Sequence, residues 1–162
     1  AWRDRADVAR RHGVAAGVVE HLLERYGTMT TDVLAMIEAD PVLGQPLPGA
    51  PEYLAAEVAY GAAAEGALHL EDVLVRRTRI SIETVHRGVE SAAVAAEVMG
   101  RVLGWDAARR DREVEHYRAA VAAERESQLA PDDVTADAAR LGAPDVRAWA
   151  PPAGTCYPAT AW

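Results

Sequence analysis

Apolar side chains recur at every third or fourth position along most of the chain and nowhere alternate for long. Such a sequence can fold into packed helices but not into an extensive sheet. Val14, Val18, Leu22 and Tyr26 repeat every four residues up to Gly27, a helix stop. Thr30 or Thr31 can cap the next helix, with Leu34 and Ile37 on its inner face and Pro41 beyond its end. Leu54, Val58 and Ala62 form another stripe, and Leu70, Val73 and Leu74 a short one. From about Thr84 to Leu103 the series Val85, Val89, Ala92, Ala96, Met99 and Leu103 predicts one helix, with Gly88 as its weak point. Asp106 opens a long charged helix to about Gln128, whose inner edge is Val114, Tyr117 and Val121. Pro131-Asp132-Asp133 opens a last one, running to Leu141-Gly142. The expected fold is all-α, a single compact domain of about six to eight helices.

Pro41–Pro51 carries four of the nine prolines and reads as an ordered loop. Pro51 suits the first turn of the helix that follows, because its missing N–H has no intrahelical partner to lose. On that helix, expected to run to about Glu65, the stripe Tyr53, Glu57, Tyr60, Ala64 sets a carboxylate between two tyrosines and predicts its partial burial. The best strand candidate, Thr78–Ile82, has no partner strand. Helical structure is expected over residues 1–147. The Pro-rich remainder, 148–162, is expected to lie irregularly over the surface. The opening Ala1-Trp2-Arg3-Asp4, without Met, reads as a piece of something longer.

Charge and composition narrow the function classes. The 17 basic residues, all Arg, face 25 acidic ones, a net charge of −8 that argues against nucleic acid and against a broad anionic membrane surface. No run of 18 apolar residues occurs, so no membrane-spanning helix is expected. The single cysteine, Cys156, permits no internal disulfide and suits an intracellular, cytoplasmic setting.

Two Glu-x-x-His pairs, Glu83/His86 and Glu113/His116, have the spacing with which helical bundles present ligands to two metals. Folding back at Gly104 would leave His86 and His116 six residues out of register, roughly 9 Å at the helical rise. A shared site needs its ions within about 4 Å. His116 also sits among many charged neighbours, so both pairs read as solvent-facing and no metal is expected. Gly61 and Gly66 enclose no phosphate-binding fingerprint, Cys156 has no nearby His, and the serines lack a nucleophile elbow. No catalytic or cofactor-binding residue emerges from these motifs.

The densest positive patch is Arg76-Arg77-Thr78-Arg79, one turn after Asp72. It could touch DNA, which the net charge opposes, or bind an anion such as a substrate phosphate. It could instead satisfy Glu57, Glu65 and Asp72 and lock helices together, or meet another domain.

Those residues also carry a resemblance. Arg25-Tyr26-Gly27, Pro48-Gly49-Ala50, Ala56-Glu57-Val58-x-Tyr60, Glu65 and Asp72-x-Leu74-x-Arg76-Arg77-Thr78-Arg79, in this order, resemble the C-terminal helical domain of aerobic FAD-dependent glycerol-3-phosphate dehydrogenases. The resemblance covers roughly residues 6–105. It implies a full enzyme that oxidises sn-glycerol 3-phosphate to dihydroxyacetone phosphate, passing electrons through FAD to a membrane quinone, or to oxygen in oxidase relatives. That enzyme would be peripheral at the inner face of the membrane. It further implies that an N-terminal FAD-binding domain of the same polypeptide supplies cofactor and catalytic groups. This chain would then bind no FAD, be inactive alone and serve a structural or docking role. Glu57, Tyr60, Glu65, Asp72, Arg76, Arg77, Thr78 and Arg79 are the structural or interdomain candidates. The alternative is a stand-alone helical interaction or regulatory module; a di-metal oxidoreductase is a third, weaker reading.

Overall fold

The computed structural model describes residues 4–143; the tail expected from residue 148 lies outside the described residues. Helix α1 (Arg5–His12) ends at Gly13, whose φ of 66° lets its N–H turn back to Ala9. α2 (Ala16–Tyr26) passes through the 3-10 turn Gly27–Met29 into α3 (Thr30–Ala39). A 3-10 turn at Pro41–Gly44, capped by the Asp40 carboxylate, then leads to a small hairpin of β1 (Pro46–Leu47) and β2 (Ala50–Leu54).

α4 (Ala55–Ala63) is the centre of the fold. All its residues from Ala55 to Ala62 are buried, as befits a helix made of small side chains that lets its neighbours close in on every side. It packs against α3 on one side and α6 (Ala92–Leu103) on the other. A π-helical turn, Asp72–Arg77, and the single turn α5 (Ile80–Glu83) lie between α4 and α6 in sequence. α7 (Ala107–Gln128), capped by Asp106, packs on α6, and α8 (Asp133–Leu141), capped by Asp132, packs on α7. The larger core cluster gathers Tyr53, Val58, Leu70, Leu74, Ile80 and Met99 with other residues. A second joins Leu22, Val33, Leu34, Ile37, Leu54 and Tyr60.

The mostly helical architecture agrees with the expectation, with three local differences. Pro51 lies in β2, not in a helix, and α4 starts four residues later at Ala55. Proline lacks only a ladder donor, which an edge strand tolerates, and the Gly49 turn (φ 72°) reverses the chain. Tyr53 therefore stands on a strand and shares no helical face with Glu57. The helix expected from Thr84 begins only at Ala92, because Arg87 (φ 52°) and Gly88 (φ 74°) are both left-handed and break it. At Gly88 a Cβ would come within 2.6 Å of Ile80 Cγ2, so the glycine also lets the turn lie against the core. The third difference is the 72–77 segment. The Thr78 N–H and hydroxyl both donate to the Val73 carbonyl, at 2.8 Å each, widening the turn to π geometry.

Candidate functional site

Two carboxylates, Glu57 and Glu113, are each 0% exposed. Burying a charge is costly unless it is paired and hydrogen-bonded, and both are held in the same way, by one His, one Arg and one backbone N–H.

Glu57 lies in the first turn of α4 and accepts from the Leu54 N–H at 2.8 Å, closing the start of its own helix. His21 Nε2 approaches its two oxygens at 3.1 and 3.2 Å, and Arg25 Nε stands 3.3 Å away. His21 and Arg25 are one turn apart on α2, so a single carboxylate ties α2 to α4. Arg25 then reaches further, donating to the Arg77 carbonyl at 3.0 Å and to the Tyr53 hydroxyl at 3.3 Å, with its guanidinium 5.0 Å from the Tyr53 ring centre. Tyr53 in turn donates to Glu83 at 2.6 Å, and Arg79 Nε lies 3.3 Å from that same carboxylate.

Glu113 lies on α7. Arg109, one turn before it, approaches at 2.5 Å, His69 Nδ1 at 2.8 Å, and the Leu70 N–H donates at 3.1 Å. The Arg109 guanidinium lies 5.5 Å from the Trp105 ring centre. Glu113 thus holds the chain at residues 69–70, just before the π-helical turn, while Arg25 holds the carbonyl at that turn's end.

The expected site residues divide accordingly. Tyr60 is buried, its ring edge-on to Tyr26 at 5.4 Å. Thr78 is buried and closes the π turn. Asp72 accepts from the Leu68 and His69 N–H groups and pairs with Arg76 at 2.8 Å, and Arg76 also reaches Glu71 at 2.7 Å. Glu65 is half-buried. The expected pairing of Glu57 with the 76–79 arginines is not what forms. Arg25 and His21 take that carboxylate because α2, not the arginine segment, runs alongside it. Arg77 and Arg79 are exposed, and Arg77 has no ion pair among the described residues.

Glu113 corrects a second expectation, since it is buried, not solvent-facing. The other members of the Glu-x-x-His pairs are engaged or apart. Glu83 is bonded to Tyr53, and His86 Nδ1 lies 3.1 Å from Arg125. Among the described residues no group of three His, Cys, Asp or Glu side chains could hold a metal. His21, His69 and Arg109 were missed by sequence reasoning. The only local signals were the four-residue spacings His21/Arg25 and Arg109/Glu113, which are common on solvated helices.

Both centres hold position, each carboxylate meeting a His, an Arg and a backbone N–H. Burial, then the hydrogen bond to Glu83, pushes the Tyr53 phenol up to about 12. Burial also raises Tyr26, Tyr60 and Tyr117 above the ordinary tyrosine value. A cleft of about 840 Å³ lies elsewhere, open between α6 and α7 and lined by Glu97, Arg110, Asp111 and Arg118 among others. No helix among the described residues is long and apolar enough to cross a membrane.

Fold and centres together define a helical domain organised around a buried core helix and two pinned carboxylates. The family described as the C-terminal domain of alpha-glycerophosphate oxidase matches residues 1–110, and the chain belongs to that family. It is 60% identical over 130 residues, 80% of its length, to glycerol-3-phosphate dehydrogenase 2 of Mycobacterium tuberculosis strain H37Rv. It is 51% identical over 140 residues, 86% of its length, to glycerol-3-phosphate dehydrogenase of Mycobacterium leprae. To the mitochondrial glycerol-3-phosphate dehydrogenase of Homo sapiens it is 32% identical over 111 residues, 66% of its length. The chain spans 22% of the first of these relatives, 24% of the second and 15% of the third. No solved structure is significantly similar to it.

Proposed function

We propose that the chain is the C-terminal, non-catalytic helical domain of an FAD-dependent glycerol-3-phosphate dehydrogenase. The whole enzyme oxidises sn-glycerol 3-phosphate to dihydroxyacetone phosphate, with FAD taking the hydride and passing electrons to a quinone. The observation that carries this reading is the 60% identity, over 130 residues, to a mycobacterial enzyme of that name. A quinone acceptor would bring the cytoplasmic enzyme to the membrane as a peripheral protein.

The described residues do not fit FAD. A pyrophosphate is held by N–H groups at a helix N-terminus. Among the described residues the strand that runs into a helix, β2 into α4, does so at Leu54-Ala55 with no glycine-rich turn between them. The half-buried Arg25 and the buried Arg109 already serve internal carboxylates. In this reading the flavin and the reacting groups belong to the rest of the polypeptide. This chain's own contribution is mechanical. Glu113 and Arg25 fix the two ends of the 69–77 segment, so the arginines at 76–79 leave the domain at a set place and angle.

The test is the gene product purified from its source. A yellow protein several times heavier than 17.3 kDa, reducing a quinone analogue with glycerol 3-phosphate, is the expected result. A colourless protein near that mass would replace this reading with a stand-alone helical module. Arg77→Ala or Arg79→Ala in the full enzyme separates docking from phosphate contact. Docking predicts an unchanged KM for glycerol 3-phosphate, and a raised KM with unaltered thermal stability would place these arginines on the substrate.

A further inference from the structure

The segment after the π-helical turn combines three features that a free surface would not need together. Its backbone is heavily fixed. Thr84 Oγ1 donates to the Ile80 carbonyl at 2.8 Å and accepts from the Gly88 N–H at 2.7 Å. The Tyr117 hydroxyl donates to the Arg87 carbonyl at 2.5 Å, and Tyr53 holds Glu83 from below. Yet this fixed backbone presents two large apolar side chains to solvent, Ile82 at 71% and Val85 at 88% exposure. The charge is also locally inverted. Residues 75–82 hold three arginines in a chain of net charge −8; Arg76 is paired with Glu71 and Asp72 and Arg79 with Glu83, which leaves Arg77 as a cation without an ion pair among the described residues.

A rigid apolar knuckle with a cationic flank has the make-up of an interface centre, where arginine and apolar groups are enriched and the partner supplies complementary charge. We infer that the knuckle formed by Ile82 and Val85, flanked by Arg77 and Arg79, is the surface on which this domain docks against the remainder of its own polypeptide. The face it meets there is an apolar depression rimmed by carboxylates. The choice of occupant rests on the function proposed above. This chain matches a C-terminal domain and spans only 22–24% of its mycobacterial relatives, so most of such a polypeptide lies outside it. Two copies, each of net charge −8, would also repel one another overall, which disfavours a second copy as the occupant.

The test is thiol alkylation of Val85→Cys in the full-length protein, followed by mass spectrometry of the peptide that contains the substitution. Docking predicts that native protein reacts at least ~10-fold more slowly than the same protein in urea, because an interface core excludes reagent as it excludes water. Rates within about twofold, as 88% exposure would give, overturn the inference. Protection that disappears on dilution as an oligomer dissociates assigns the knuckle to a second copy and overturns it too. Ile82→Asp should, in the same full-length protein, expose the Val85→Cys thiol while the far-ultraviolet circular dichroism stays unchanged. The flavin spectrum of the same preparation separates the two failures: a colourless, short gene product sinks the proposed function, whereas a flavoprotein with a freely reactive thiol sinks only the docking surface.

Discussion

The Glu57 and Glu113 centres solve one electrostatic problem with the same parts and put the solution to different uses. Glu57 draws its His and Arg from another helix, α2, and its N–H from its own helix start, so it fastens two helices of the core. Glu113 draws its Arg from its own helix and its His and N–H from a loop, so it fastens irregular chain to a helix already in place. The first therefore carries part of the fold, and the second mainly positions the segment leading into the arginines. A buried charge thus says little about its task until the elements supplying its partners are known.

The largest effects should come from emptying these centres. Glu57→Ala is expected to cost about 3–5 kcal/mol, because Arg25, His21 and the Leu54 N–H are left without their acceptor. Glu113→Ala should fall in the same range in urea unfolding but leave α2 and α4 docked. A Glu57→Ala loss within about 0.5 kcal/mol, typical of a surface site, would end the comparison at once.

Alkaline titration comes next and weighs on the Glu57 side, where Tyr53, Tyr26 and Tyr60 gather. Their folded values lie above the ordinary 10, so the stability they contribute is complete below pH 10 and is lost as pH rises through the folded values. For Tyr53, folded value about 12, the loss between pH 10 and 12 is roughly 2–3 kcal/mol. Tyr53→Phe should flatten part of that decline in melting temperature against pH, and an undiminished slope would show that Tyr53 does not contribute.

Gly88→Ala should cost on the order of 1–2 kcal/mol for its left-handed φ alone, with a further penalty from Ile80. Its measured effect on unfolding sharpens the comparison, since the turn it shapes lies beside α7 and not beside Glu57. The smallest effect belongs to Arg76→Ala, which breaks exposed pairs with Glu71 and Asp72 and should stay within about 0.5–1 kcal/mol. A loss of several kcal/mol there would make the arginine segment a third structural centre.

Much of the helical plan was legible in the residues themselves. Asp106 and Asp132 cap where their position before a periodic run suggested, and Gly27 and Gly104 stop helices for want of a Cβ. Gly88 marked the break, but not that the helix would begin as late as Ala92. Partial burial of Glu57 could be anticipated from its place between Tyr53 and Tyr60, although Tyr53 stands on a strand and the burial is complete. That of Glu113 could not, because Arg109, Arg110, Asp111 and Arg112 around it read as a solvated face. Local charge density conceals a buried carboxylate when its partners arrive from residues some forty positions away.

What the sequence determined by itself is local: helix periodicity, caps, stops and the small-residue composition that lets α4 sit at the centre. Those signals act within a turn or two of chain, where backbone geometry and side-chain spacing suffice. Only the tertiary structure decided which cation met which carboxylate, turned Pro51 into part of a strand and left Ile82 and Val85 outside a fixed backbone. Charge pairing and burial depend on distances between elements, and those distances exist only once the helices have packed.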